Sequence, residues 1–103
     1  MKIVIYNSVR KTIRKTARYI QKEFGAKSRL KFIDEVKHTM QLLVTNPELG
    51  SVELYLEGAP VRYRSIVVQR LNKFIYWING DVIEIVDFWD CRRDPDALAK
   101  PLM

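Results

Sequence analysis

The chain has 103 residues, 48% hydrophobic and 29% charged, with a single cysteine. That is the profile of one folded domain of modest size. It excludes a disordered chain, a second domain core, an internal disulfide or cysteine-rich zinc site, and a membrane span of ~18 apolar residues. The net charge of +6 lies in the first half: residues 1–50 carry eleven Lys/Arg against four Asp/Glu, residues 51–103 seven against eight. This asymmetry points to an anionic partner, a nucleic acid or an acidic protein segment.

In chain order, Lys2–Tyr6 is a short β-prone run expected at a sheet edge, too short for the core of a secretion signal, and a cytoplasmic location follows. Asn7 or Ser8 is expected to cap a helix through its side-chain oxygen. Val9, Ile13, Ala17, Ile20 and Phe24 then recur at spacings of three and four, which predicts one apolar stripe. Arg10, Lys11, Arg14, Lys15, Arg18 and Lys22 take the remaining faces. Gly25 stops this helix in a left-handed conformation. A second helix runs from about Lys27 to about Thr45 with a stripe of Leu30, Ile33, Val36, Met40 and Leu43, and Asn46-Pro47 ends it. The short link predicts an antiparallel helical hairpin.

Pro47 to Pro60 reads as a long connection, with Val52–Leu56 a candidate short strand. Strands follow at Val61–Arg70, Lys73–Ile78 and Val82–Asp90, with Asn79-Gly80 as a tight hairpin turn. Asp94-Pro95-Asp96 reads as the start of a helical turn over Asp96–Lys100. The expected fold is α+β, in the order β-α-α-β-β-β: an antiparallel sheet with an N-terminal helical hairpin packed on one face, all within residues 1–103.

Two of the predicted strands are apolar on both faces: Ile66-Val67-Val68 and Phe74-Ile75-Tyr76-Trp77-Ile78. A helical hairpin covers one side of a four-stranded sheet, so the other side is expected to meet a second chain. Ile66, Val68, Phe74, Tyr76 and Trp77, with Arg14 and Arg18 from the basic helix, are the candidate partner-binding residues. An acidic partner presenting an amphipathic helix or an added strand suits both features.

The chemistry is carried by arginine. There is no glycine-rich phosphate loop or nucleophile elbow. His38, off the stripe of the second helix, reads as a surface residue. The acids Glu84, Asp87, Asp90, Asp94 and Asp96 lie beside Arg92 and Arg93, which suits ion pairs and capping better than a metal, so no metal and no cofactor are assigned. Arg62, Arg64 and Arg70 share one face of a strand by even spacing. Lys73 follows across the turn and Arg92-Arg93 closes the last strand. Such guanidinium groups can grip phosphates and stabilise charge at a scissile one. Tyr63 and Tyr76 are the nearby hydroxyls available for proton transfer.

Glu23-Phe24-Gly25 at the end of the first helix and Asn46-Pro47-Glu48-Leu49-Gly50 after the second resemble the RelE/ParE toxin superfamily. So do Tyr63-Arg64-Ser65-Ile66-Val67-Val68, Phe74-Ile75-Tyr76-Trp77 and the ending Asp90-Cys91-Arg92-Arg93-Asp94-Pro95. The resemblance covers nearly the whole chain in the right order. It implies a toxin of a bacterial type II toxin–antitoxin system, silenced by a cognate antitoxin.

Two activities occur in that superfamily: ribosome-dependent mRNA cleavage in the RelE branch and non-hydrolytic poisoning of DNA gyrase in the ParE branch. Carried over by position, Arg64, Lys73 and Arg92 or Arg93 match the RelE basic set, with Tyr76 a weaker candidate. The second basic position falls at about Ile66 and the C-terminal tyrosine near Leu98. Both departures favour a ParE-like toxin acting on gyrase over a nuclease acting on the ribosome and its mRNA. The alternatives left open are the mRNA endoribonuclease and a non-toxic degenerate binding module. A homodimer through the helical hairpin is compatible with the sequence but not required by it.

Overall fold

The structure, a computed structural model, describes residues 1–69 and 71–93. Its elements are β1 (Lys2–Ile5), α1 (Asn7–Phe24), α2 (Ala26–Thr45), β2 (Ser51–Val52), β3 (Arg64–Gln69), β4 (Asn72–Asn79) and β5 (Val82–Asp90), with a 3-10 turn at Leu54–Leu56. The α+β order β-α-α-β-β-β stands. The sheet, however, has five strands in the order β1-β5-β4-β3-β2. It is mixed rather than antiparallel, because β1 runs parallel to β5. Parallel neighbours cannot be joined by a tight turn, and here the chain between β1 and β5 runs through the helical hairpin to β2 at the far edge and back through β3 and β4. Arg70 and the expected helical turn at Asp96–Lys100 lie outside the described residues.

The helix α1 begins at Asn7 and, against expectation, takes no side-chain cap. Instead the Tyr6 carbonyl accepts from the Val9 and Arg10 N–H groups. Gly25 ends it with φ 93° and ψ 174°. This is an extended conformation at positive φ, not the left-handed helical one, and it is open essentially to glycine alone. The turn lets α2 start at once at Ala26.

The stripe of α2 is rotated from the expected one: Phe32, Val36, Thr39 and Leu43 are buried, Ile33 and Met40 are partly buried, and Leu30 is 64% exposed. Phe32 packs its ring edge-on to Phe88 at 6.0 Å between centroids, and that aromatic contact sets the rotation. Val9, Ala17, Phe32, Val36 and Leu43 close the main core over Phe74, Tyr76, Ile83, Ile85 and Phe88.

The opposite face of the sheet is not left for a second chain in the way the strand pattern suggested. The connection after β2 folds back across it. Leu56 is buried against Ile75, Val86 and Trp89, with Ala59, Tyr63 and Trp77 packed around them. Over β4 and β5 a strand pattern apolar on both faces is thus answered by the chain's own connection, whereas Val67 of β3 stays 60% exposed. The turn between β4 and β5 is Gly80-Asp81, because Asn79 still pairs with Val82 as the last residue of β4. Strand β3 starts at Arg64, so Arg62 precedes it, and a register shift between Val67 and Gln69 ends the regular alternation. The even spacing of Arg62 and Arg64 therefore does not place them on one strand face.

Candidate functional site: a partner groove and the basic residues around it

The candidate phosphate-gripping residues Arg64, Lys73, Arg92 and Arg93 are distributed over the sheet and its end, and each of these four has an internal partner. Arg64 lies directly opposite Tyr76 on β4, on the helix side. Its guanidinium donates to the Gly50 carbonyl at 2.8 Å and to the Glu48 carbonyl at 3.4 Å. The Tyr76 hydroxyl donates to the Pro47 carbonyl at 2.8 Å and accepts from the Gly50 N–H at 2.9 Å. Together they pin the Asn46–Gly50 turn to the sheet. Burial pushes the Tyr76 hydroxyl up from its ordinary pKa, against the opposing effects of the Gly50 N–H and Arg64, and it stays protonated at neutral pH. Burial does the same to Tyr63.

Lys73 lies on the other face of β4, with its ammonium 2.6 Å from a Glu53 carboxylate oxygen. Burial pushes the Glu53 carboxyl up. Lys73, the Ser65 hydroxyl and the Tyr55 N–H outweigh that and leave it below the usual carboxylate range. At the end of β5, Arg92 grips Asp90 in a paired contact, Nε to Oδ1 at 3.0 Å and an Nη to Oδ2 at 2.8 Å. These bonds hold the Asp90 carboxyl low. The Arg93 guanidinium lies 4.4 Å from the centre of the Trp89 ring, a cation–π contact. Among the described residues, Glu84 accepts from Tyr6 and Asn79, so two of the five sequence-flagged acids are already engaged by neighbours.

What the fold does build is a groove of about 1050 Å³ between the Gly25 end of the helical hairpin and the β3–β4 turn. Tyr19, Ile20 and Phe24 of α1 form one wall, and Val67, Val68 and Leu71 form the other. Tyr19, Phe24, Val67 and Leu71 are 45–67% exposed, an unusual concentration of large apolar side chains in water. Lys15, Lys31 and Arg92 lie along its edges with Glu35 and Asp90.

Of the residues expected to meet a partner, Val68 lines this groove, while Arg14 and Arg18 are exposed on α1. Phe74 and Tyr76 are fully buried in the core and Ile66 packs against it, so they do not present themselves to another chain. Trp77 packs beside the second core under the 53–63 connection. Tyr19, Phe24 and Leu71 were missed. Phe24 closes the helical stripe by spacing, and only the tertiary arrangement shows that its position runs past the edge of the sheet.

The family model for the ParE toxin of type II toxin–antitoxin systems, parDE, matches residues 3–95. The chain belongs to the ParE toxin family. A solved structure described as the chromosomal ParDE toxin–antitoxin system from P. aeruginosa superposes with a TM-score of 0.71. The two are 13% identical, and the match covers 87% of this chain and 95% of that one. At that identity the likeness to this ParE-system structure is one of fold. No curated protein sequence matches the chain. Membership of the ParE family implies an antitoxin partner, and among the described residues no helix is long and apolar enough to cross a membrane.

Proposed function

We propose that this ParE-family chain is a non-hydrolytic toxin that acts in the cytoplasm on a protein target, DNA gyrase, and is silenced by an antitoxin segment seated in the groove beside α1. One observation carries the reading. The residues a nuclease would need are internally engaged and lie on opposite faces of the sheet: Arg64 and Tyr76 on the Asn46–Gly50 turn, Lys73 on Glu53. General acid–base chemistry needs its groups to converge on one reacting atom, and here Tyr76 and Lys73 face away from one another.

The groove suits an amphipathic helix or extended segment with apolar anchors for Tyr19, Phe24 and Leu71 and acidic side chains for Lys15 and Lys31. The ribosome-dependent nuclease keeps one supporting feature, the exposure of both Arg92 and Arg93 at the end of β5. Two assays on the purified chain separate the readings. Inhibition of gyrase supercoiling, with an intact message and undiminished yield in cell-free translation, is the expected result. Ribosome-dependent cuts within the message, lost in Arg92→Ala, would replace this reading with the nuclease. Inactivity in both assays, with no growth defect on expression, would leave a non-toxic binding module.

A further inference from the structure

We infer that the outward ridge of α1 is a docking surface for the phosphate backbone of double-stranded DNA, distinct from the groove on the other flank of the same helix. At about 100° per residue, Arg10, Arg14, Arg18, Lys11, Lys22 and Lys15 fall within an arc of roughly 140°, and the ridge extends about 18 Å along the axis. All six are exposed. Among the described residues none of them makes an ion pair. The sole acid of α1, Glu23, lies outside that arc. Arg29 of α2 donates to Gln21 Oε1 at 2.6 Å and so joins the ridge at its edge.

Apart from Lys22, which in the last turn suits the negative end of the helix dipole, this charge does not serve the helix itself. Arg10/Arg14, Arg14/Arg18, Lys11/Lys15 and Arg18/Lys22 are like-charge pairs one turn apart, each mildly destabilising. Arg10 also falls in the first turn, where the helix dipole disfavours a cation, and no acid there offsets it. The neighbouring α2 shows the ordinary alternative, with Asp34 and Glu35 interspersed among Lys31 and Lys37.

The chemistry of the ridge selects its occupant. Its arc holds no apolar or aromatic side chain, because Val9, Ile13, Ala17, Ile20 and Phe24 turn to the core or the groove. A protein partner would find nothing to bury at the centre of the contact, and a single strand would find no ring on which to stack its bases. A duplex needs neither, since neutralising its phosphates and releasing their counterions supplies the affinity. The groove lies on the Tyr19 side of the helix, with only Lys15 common to both surfaces, so an occupied groove leaves the ridge free.

The test is fluorescence anisotropy of the full chain with a labelled DNA duplex of arbitrary sequence, of about 20 bp to exceed one helical turn. For about four phosphate contacts, affinity is expected to fall about 100-fold between roughly 50 and 200 mM salt. Arg10→Gln, Arg14→Gln and Arg18→Gln combined should lower affinity at least about tenfold and reduce the salt slope by between about 2 and 3. Their thermal midpoint should not fall, since like-charge pairs are removed. Tyr19→Ala with Phe24→Ala, in the groove, should leave duplex binding unchanged. The inference is overturned by absence of duplex binding, by an unchanged salt slope in the triple variant, or by tighter binding of an RNA duplex. Competition by polyglutamate equal to that by unlabelled DNA would overturn it in favour of an acidic protein.

Discussion

Tyr76 is the residue on which most of the local geometry converges. Its ring is fully buried in the core while its hydroxyl closes two hydrogen bonds with the Asn46–Gly50 turn. The approach is close: a Cβ at Gly50 would meet both the Ser65 carbonyl and the Tyr76 hydroxyl at 2.6 Å, so only glycine fits there. Tyr76→Phe keeps the ring but leaves the buried Gly50 N–H without its acceptor, an omission that costs about 1–3 kcal/mol. The expected outcome is an unfolding free energy from urea titration lower by that amount, with inhibition of the target retained because the hydroxyl serves the fold. Loss of inhibition at unchanged stability would instead make Tyr76 a functional hydroxyl. The residues of the Asn-Pro-Glu-Leu-Gly turn thus resemble a family signature for a structural reason.

Among the elements, the connection between β2 and β3 contributes more than its irregular composition suggests. Its 3-10 turn sets Leu56, 2% exposed, over Ile75, Val86 and Trp89. Glu53 at its head holds Lys73 and caps the turn by accepting from the Tyr55 N–H. Leu56→Ala opens a cavity under the connection and is expected to cost about 2–5 kcal/mol. A red shift and greater quenching of tryptophan fluorescence should accompany it, since Trp89 would meet water. An unshifted spectrum would mean that the connection does not shield that face. The hairpin of α1 and α2 shows the opposite division of labour. It shields the centre of the helix side of the sheet, leaves Ile66, Val68 and Ile78 partly buried, and the exposed Tyr19 and Phe24 project beyond it towards the β3–β4 turn.

Across the whole molecule, two carboxylates, Glu53 at the head of the connection and Asp87 on β5, respond to pH with opposite sign. Glu53 is held below its unfolded value, so its contribution is full above the usual carboxylate pKa of about 4 and is lost as pH falls through the folded value. Asp87 is pushed up by burial, against the Phe88 N–H and the charge of Arg93. Its protonated form favours folding below the unfolded value, and that advantage is lost as pH rises through the folded one, leaving a cost at neutrality. Asp87→Asn is therefore expected to raise the thermal midpoint at pH 7 and to give no gain at about pH 3, where the carboxyl is protonated in both states. Equal midpoints at pH 7 would show that Arg93 compensates the burial in full.

Local pattern was enough to place the helices, β5, the edge position of β1 and the basic face of α1, because periodicity, glycine and proline act over a few residues and need no tertiary partner. The motifs in order sufficed for the family. The sequence alone did not settle which apolar residues face a partner. Phe74 and Tyr76 have the same hydrophobic character as Val67 and Leu71, and burial separates them only once the sheet order is set. Nor did it show that Arg64 and Lys73 are engaged at home, whereas the ion pair of Arg92 with Asp90, two residues away, was legible in it. The partners Gly50 and Glu53 are fixed by register and by the path of an irregular connection. Such contacts depend on distances between segments far apart in the chain, and no local spacing encodes them.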